Sequence, residues 1–369
     1  MNNFFIGLMS GTSADSVDAV LVNIVDSNIR YIGKYSHPIP LRLKTAIYRL
    51  VEAKILDGNE IDSLDVDLGE IFSETVNALL RQESITAESI VAIGSHGQTI
   101  KHSPDSSQPF SLQIGNGELI SKKTGIRTVW DFRSADIAAG GQGAPLTPLF
   151  NEHVFAQDKN KKAIINIGGI SNITLLSPHL STVGYDIGPG NCLMDSWSRE
   201  NDMGQFDEDG KWASSGQTNQ ALLDAMLGET YFSKDFPKST GPDYFNLSWV
   251  NGLKQKTGEI PTPKDLQSTL LDLTVESLTG EIKKLELDCP KALFFCGGGI
   301  HNKYLMIKIQ EKLSSKIHTT KELGIDPDYI EATSFAWFAC QRVQERSFDL
   351  SKITGSKGKV LLGEIAEPK

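Results

Sequence analysis

The chain has 369 residues, 39% of them hydrophobic and 22% charged, with a formal charge of −10; that balance describes a folded protein of one large or two ordinary domains and excludes disorder as the default. The acidic excess gives no global attraction to nucleic acid or to an anionic bilayer, and no stretch approaches the roughly 18 consecutive apolar residues of a membrane span. The four cysteines (Cys192, Cys289, Cys296, Cys340) form no C-x-x-C pair, which argues against a zinc cage or a disulfide framework and fits a reducing cytoplasm.

The opening MNNFFIGLMSGTS lacks a basic n-region and is broken by Gly7, so it does not read as a signal peptide. Phe4 to Leu8 reads as a strand, followed by a small polar turn, a second strand over Val17 to Ile24 and a third β-like run over Ile29 to Tyr35. Ile61, Leu64, Leu68, Ile71, Phe72 and Leu79 recur at helical spacing. The apolar run Ile90 to Ile93 then ends in Gly94-Ser95-His96-Gly97-Gln98-Thr99, polar groups placed where open α/β sheets put their ligand contacts. A second strand–hairpin pattern starts at Ala163 to Ile167 and runs through Leu176. Thr262-Pro263 reads as an N-cap followed by Pro at N1, opening a helix with Leu266, Leu270, Leu273 and Ile282 inward. The strand Ala292 to Phe295, a triple-glycine turn and a helix carrying Leu305, Ile309 and Leu313 follow. The order strand–hairpin–helix–strand thus occurs twice, which predicts two related α/β domains with a cleft between them. The polar break at 157–162 marks the boundary, giving a first domain of 1–158 joined by about 333–369 and a second of 159–332.

Three glycine-rich turns stand directly after apolar strands. They are Ser10-Gly11-Thr12-Ser13, Asn166-Ile167-Gly168-Gly169-Ile170-Ser171-Asn172 and Cys296-Gly297-Gly298-Gly299-Ile300-His301-Asn302. Glycine lets backbone N–H groups approach anionic oxygens closely, and Ser and Thr hydroxyls add donors. One such turn more often only closes a bend; three in this order are more specific. They form neither a Walker A pattern nor a G-x-G-x-x-G fingerprint.

This arrangement resembles the superfamily of acetate and sugar kinases, Hsp70 and actin, and within it the anhydro-N-acetylmuramic acid kinase family. The resemblance is carried by Gly7-Leu8-Met9-Ser10-Gly11-Thr12-Ser13, by the Gly94 to Thr99 segment, by Asp131-Phe132-Arg133, by Ala138-Ala139-Gly140-Gly141-Gln142-Gly143-Ala144-Pro145-Leu146, by Gly184-Tyr185-Asp186-Ile187-Gly188-Pro189-Gly190-Asn191, by Lys238-Ser239-Thr240-Gly241 and by the triple-glycine turn. It implies two actin-like (ribonuclease H-like) domains around a central nucleotide and substrate cleft. It also implies a cytoplasmic homodimer using ATP and Mg²⁺ on an anhydro amino sugar in bacterial cell-wall recycling. The first turn departs from the family, whose Gly-Thr-Ser continues Leu-Asp-Gly, whereas here Ala14-Asp15-Ser16 stands. If position 16 needs φ > 0, serine costs about 1 kcal/mol against glycine and the hairpin is looser.

The resemblance assigns residues. ATP falls to Ser10, Gly11, Thr12, Ser13, Ala14, Asp15, Ser16, Val17 and Asp18 of the first turn, to Asn166, Gly168, Gly169, Ser171 and Asn172 of the second, and to Gly297, Gly298, Gly299 and Asn302 of the third. The sugar falls to His96, Gln98, Arg133, Gly188, Pro189, Gly190 and Asn191. Asp186 becomes the base that takes a proton from water attacking C1; a carboxylate that only shapes the Asp186 to Gly190 bend is the other reading. Asp15 and Asp18 orient Mg²⁺ through water, or serve as a turn residue and a strand residue. Arg133 pairs with a lactyl carboxylate or with Asp131 or Asp136. His96 bonds the sugar or holds its loop, and Glu331 positions water beside Asp186 or starts a helix. Cys296 reads as a small apolar packing residue.

Overall fold

The computed structural model describes residues 3–25, 28–53, 55–156, 161–285 and 292–368. Cys289 and positions 157–160 of the polar break lie outside the described residues. The chain forms two compact units, Met1–Val154 with Tyr329–Lys369, and Phe155–Asp328.

The first unit is built on a sheet of β1 (Phe4–Ser10), β2 (Ser16–Val25), β3 (Asn28–Pro38), β4 (Ile90–Ser103), β5 (Phe110–Ile114) and β6 (Thr128–Trp130). Its spatial order is β3-β2-β1-β4-β6, closed by a short C-terminal strand, Glu364–Ala366, with β5 paired to β4. β1, β2 and β3 form an antiparallel meander, and β4 runs parallel to both β1 and β6. The expected helix spans Gly58–Glu83, capped by the Asp57 carboxylate, which accepts from Asn59 N–H at 3.0 Å. Its Leu64, Leu68, Phe72, Val76 and Leu79 are buried against the sheet, each worth roughly 1.5–3 kcal/mol of transfer free energy.

A second helix, Ile330–Val343, lies against the same sheet by way of two glycines. Gly7 and Gly94 are paired across β1 and β4. A Cβ on Gly7 would stand 1.8 Å from the Ala332 carbonyl oxygen, and one on Gly94 1.9 Å from that of Phe335. Only residues without a Cβ let helix backbone settle this close, and that contact fixes the first turn bearing Glu331.

One local expectation is corrected here. β4 does not stop at Ile93 but continues to Ser103, so Ser95 to Thr99 belong to a strand rather than to a polar turn. His96 and Gln98 of this run are buried and hydrogen-bonded, as strand residues can be.

The second unit holds β7 (Lys162–Ile167), β8 (Ile170–Ser177), β9 (Leu180–Pro189), β10 (Ala292–Cys296) and β11 (Ile317–Thr319) in the order β9-β8-β7-β10-β11. β7, β8 and β9 are an antiparallel meander, while β10 pairs in parallel with β7 and β11. The Pro263–Lys284 helix begins as expected, with Thr262 Oγ1 accepting from Asp265 N–H at 3.4 Å and Pro263 in its first turn. Leu266, Leu270, Leu273 and Ile282 enter a core with Ile165, Ile167, Tyr185 and Phe295. Each unit therefore carries the meander-plus-two-parallel-strands order of the actin-like fold. Among the described residues no helix is long and apolar enough to cross a membrane.

Candidate active site

In the first unit the turn between β1 and β2 is closed by Ala14 N–H donating to Gly11 O at 3.0 Å. The left-handed residue is Ala14, at φ 47°, while Ser16 already lies in β2. The expected strain at position 16 is thus corrected: the departure from the family's glycine there carries no conformational penalty, and the unfavourable φ falls on Ala14. Ser16 Oγ and Ser36 Oγ both donate to Asp18 Oδ1, at 3.1 and 2.7 Å. Asp15 is ion-paired with Lys44. Ser10 Oγ points inward and donates to Gln98 Oε1 at 2.6 Å, so these buried residues tie β1 to β4. Thr12 and Ser13 stand in the turn, whose Ser13 carbonyl accepts from Tyr48 Oη, and Val17 is core.

A charged cluster forms beside this turn. Arg133 donates from Nη2 to His96 Nε2 at 2.8 Å, and His96 Nδ1 lies 3.0 Å from Gly97 O. The first contact makes Nε2 the acceptor, so the proton resides on Nδ1 and donates to the carbonyl. Burial, then the Arg133 charge, holds His96 well below the usual histidine range, and the imidazole is neutral. It packs on Phe335 at 4.6 Å between ring centroids. Burial raises the Glu331 carboxyl to about 6, with Arg133 opposing the rise and Asp18 adding to it. The carboxylates once paired with Arg133 in the alternative reading have other bonds: Asp131 accepts from Ser134 Oγ at 2.7 Å, and Asp136 accepts from Gly143 N–H and Thr354 Oγ1, each at 2.7 Å.

Sequence reasoning missed His102. It is buried, its Nδ1 lies 3.0 Å from Ser111 Oγ, and burial followed by the Arg133 charge pushes it down to about 3. It lies six residues after His96 in the same strand, and no pattern in the residues around it marks it as a site residue. Also missed was a 170 Å³ cavity lined by Ser95, His96, Gln113, Trp130, Asp131 and Ser134, among others. Ser95 Oγ is buried there without a hydrogen-bond partner among the described residues.

In the second unit Asp186 sits within β9, directly across from Asn172, with Ser171 across from Gly188. It is therefore a strand residue, beside a register shift that leaves Ile187 between the two pairs. Backbone holds it on both sides. Asp186 N–H donates to Lys238 O at 3.1 Å, Thr240 N–H donates to Asp186 Oδ2 at 3.0 Å, and Tyr231 Oη donates to Asp186 O at 2.8 Å. The Gly168 carbonyl accepts from Asn191 N–H at 2.8 Å, and that of Gly169 accepts from Gly190 N–H at 2.9 Å. A Cβ on Gly190 would meet Gly168 O at 2.3 Å, so glycine there is what joins the second turn to the segment after Pro189. Asn302 caps the Lys303–Lys312 helix by accepting from Leu305 N–H at 3.0 Å. In the third turn, Gly297 and Gly299 press on Asn166 and Ile167 at the end of β7, while Gly298 faces open space. Cys296 is buried beside Ile165 O, as a packing residue.

The anhydro-N-acetylmuramic acid kinase family model matches residues 3–368. The protein of that name from Photobacterium profundum is 42% identical over 98% of each chain, and the one from Haemophilus influenzae is 41% identical over 98% of this chain and 97% of its own. The chain belongs to the anhydro-N-acetylmuramic acid kinase family. Among solved structures, a ROK family glucokinase from Streptomyces griseus in complex with glucose and AMPPNP aligns over 91% of this chain and 99% of its own at a TM-score of 0.39 and 11% identity.

Membership in the anhydro-N-acetylmuramic acid kinase family makes the chain a kinase, a phosphotransferase to an alcohol acceptor, on a nucleotide-binding fold. Within that family frame the two units contribute different material: a part-buried Arg133–His96 pair that acts electrostatically on Glu331 in the first, and a carboxylate held by main-chain groups in the second.

Proposed function

We propose that the protein converts 1,6-anhydro-N-acetylmuramic acid, ATP and water into N-acetylmuramic acid 6-phosphate and ADP, in bacterial cell-wall recycling. The observation that carries this reading is Asp186, a buried carboxylate fixed by Thr240 N–H and by its own backbone bonds to the 238–240 segment. A base must be held in place without being neutralised, and a main-chain N–H fixes the carboxylate without giving it a proton. Water oxygen bonds to C1, its proton passes to Asp186, and the C1–O6 bond breaks. O6 then bonds to the γ-phosphorus of ATP as ADP leaves, so no separate acid is required for O6.

Arg133, held by neutral His96, offers a fork for the lactyl carboxylate of the sugar acid. Ser95 supplies a hydroxyl for a polar substituent. Glu331, with its carboxyl near 6, holds or releases a proton in the working pH range, in the role of a water-positioning group. The nucleotide is assigned to the 10–18, 166–172 and 297–302 segments, where backbone N–H groups and hydroxyls replace a basic surface.

Magnesium fits this set. Asp18 and Asp15 supply carboxylates at the first turn, and magnesium takes one or two carboxylates with water and phosphate oxygens; no cluster of three metal-binding side chains exists among the described residues. Asp18, with Asp15 alongside, would hold the ion through water. When bound it neutralises charge building on the phosphates. The same reading makes the protein a cytoplasmic homodimer with no nucleic-acid partner.

Phosphorus NMR of the protein with ATP, Mg²⁺ and the anhydro sugar tests the reaction. A phosphomonoester signal rising with ADP is expected, with label from ¹⁸O-water at the C1 hydroxyl and none in the phosphate. ADP release that is equal on ordinary, non-anhydro amino sugars would sink the ring-opening assignment.

A further inference from the structure

Lys238 was noted in the sequence only as part of a motif. The residue is 4% exposed, and Nζ has no hydrogen-bond partner among the described residues. An ammonium removed from water without a bonded partner is strongly unfavourable, so such a residue persists only where something else holds it or needs it. Two aromatic faces receive it: Nζ lies 5.6 Å from the Tyr185 ring centroid and 5.1 Å from that of Tyr231, within cation–π range.

These two tyrosines are the neighbours of Asp186. Tyr185 precedes it in β9, and Tyr231 donates its hydroxyl to the Asp186 carbonyl. The Lys238 main chain accepts from Asp186 N–H, and two residues later Thr240 N–H donates to the carboxylate. One residue thus bonds Asp186 through its backbone and seats its charge against the ring of Tyr185, whose side chain leaves the strand on the face opposite to that of Asp186, and against the ring of Tyr231, which holds the Asp186 carbonyl.

We propose that Lys238 is a positioning residue for Asp186, its buried ammonium pinning the 238–240 segment against the Tyr185 and Tyr231 rings and placing a fixed positive charge within electrostatic reach of the carboxylate. This rests on the reading of Asp186 as the base. The charged groups facing the amine are Asp186 in β9, Asp235 in the preceding segment, and Glu281 and Lys284 on the Pro263–Lys284 helix. Three of the four are acidic. Burial lowers the amine from its ordinary range, and the three carboxylates pull it back. Glu281 is anchored by Tyr185 Oη at 3.0 Å, so the helix too is tied to this arrangement.

The test compares Lys238→Met, Lys238→Gln and Lys238→Arg with wild type and with Asp186→Asn, measuring kcat, both KM values, the pH profile of kcat/KM and ADP affinity by calorimetry. In the neutral variants kcat should fall about 10–100-fold with KM values within about twofold, and the acid limb should move to higher pH by about half a unit or more, because removing a cation favours the protonated carboxyl. Lys238→Arg should keep the limb at its wild-type position. A limb that moves as far in Lys238→Arg as in Lys238→Met makes the role one of packing and overturns the proposal. So does loss of ADP affinity in both neutral variants, which marks a purely structural lysine. If Asp186→Asn is inactive while Lys238→Met works normally, this inference alone fails. If Asp186→Asn turns over normally, the reading of Asp186 as base fails first.

Discussion

The first unit holds its candidate groups through side chains, whereas the second holds them through backbone, although the two sheets share one strand order. In the first, Arg133 bonds His96 and acts electrostatically on His102 and Glu331. In the second, Asp186 is gripped by Thr240 N–H and by the 238 carbonyl. A side-chain cluster can be retuned by one substitution, because each member's charge sets the protonation of the others. A carboxylate on main-chain donors keeps its place when its own chemistry is removed. The difference predicts localised losses in the second unit and spreading ones in the first.

The largest expected effect is on the second side of that comparison. Asp186→Asn keeps the shape and the Thr240 N–H contact at its carbonyl oxygen, but removes the base. Turnover should drop about 10³-fold, or about 4 kcal/mol, with ADP affinity by calorimetry close to wild type. Lost nucleotide binding would show that the carboxylate also organises the turns around it, and the contrast between units would fall.

Arg133→Met is the counterpart in the first unit. Removing a charged fork from a carboxylate site costs about 2–3 kcal/mol, so KM for the sugar acid should rise about 30- to 160-fold. The effect should spread: with the cation gone, His96 and His102 recover part of their depressed basicity and the Glu331 carboxyl rises further, since Arg133 opposes its rise. NMR titration of the histidines reads this directly. Histidine shifts identical to wild type would mean burial alone sets them.

Glu331 gives a smaller, pH-dependent effect. Its carboxyl stands at about 6 against an ordinary 4.5. Between these values the folded chain keeps a proton that the unfolded chain releases, so this group's contribution to stability is full below about 4.5 and is lost as pH rises through about 6. The loss amounts to about 2 kcal/mol. Glu331→Gln should abolish that slope in urea midpoints measured from pH 4.5 to 7. A slope unchanged in the variant would assign it to other carboxyls.

What the residues disclosed in advance divides along a physical line. Repeated patterns were readable: the two meanders, the Thr262–Pro263 helix start and the Leu64-to-Leu79 face all follow from local spacing and capping. The glycine turns were legible in position but not in full purpose. Gly7 and Gly94 stand 87 residues apart in sequence yet receive one helix, a requirement set by packing and invisible in either segment alone. His96 and Gln98 looked like loop residues because polar side chains usually mark strand ends. Their partners, Arg133 and Ser10, are distant in the chain, and only the folded sheet supplies them. Lys238 and His102 were given no role for the same reason, since nothing local distinguishes a buried amine or imidazole from an exposed one.

The smallest effect separates scaffold from site in the second unit. Thr262 caps the Pro263–Lys284 helix through an exposed side chain, far from any group proposed to touch substrate in sequence, and the same helix carries Glu281, which Tyr185 bonds. Thr262→Ala removes the acceptor for Asp265 N–H while the proline at N1 still favours helical φ. The expected loss is about 1 kcal/mol in chemical denaturation, with kcat and both KM values unchanged, because fraying of a first turn does not reach the residue near the helix's other end. A fall in kcat with that small loss of stability would mean that the helix transmits motion to Tyr185 and hence to Asp186, so that the backbone grip on the carboxylate depends on the whole length of the helix rather than on the 238–240 segment.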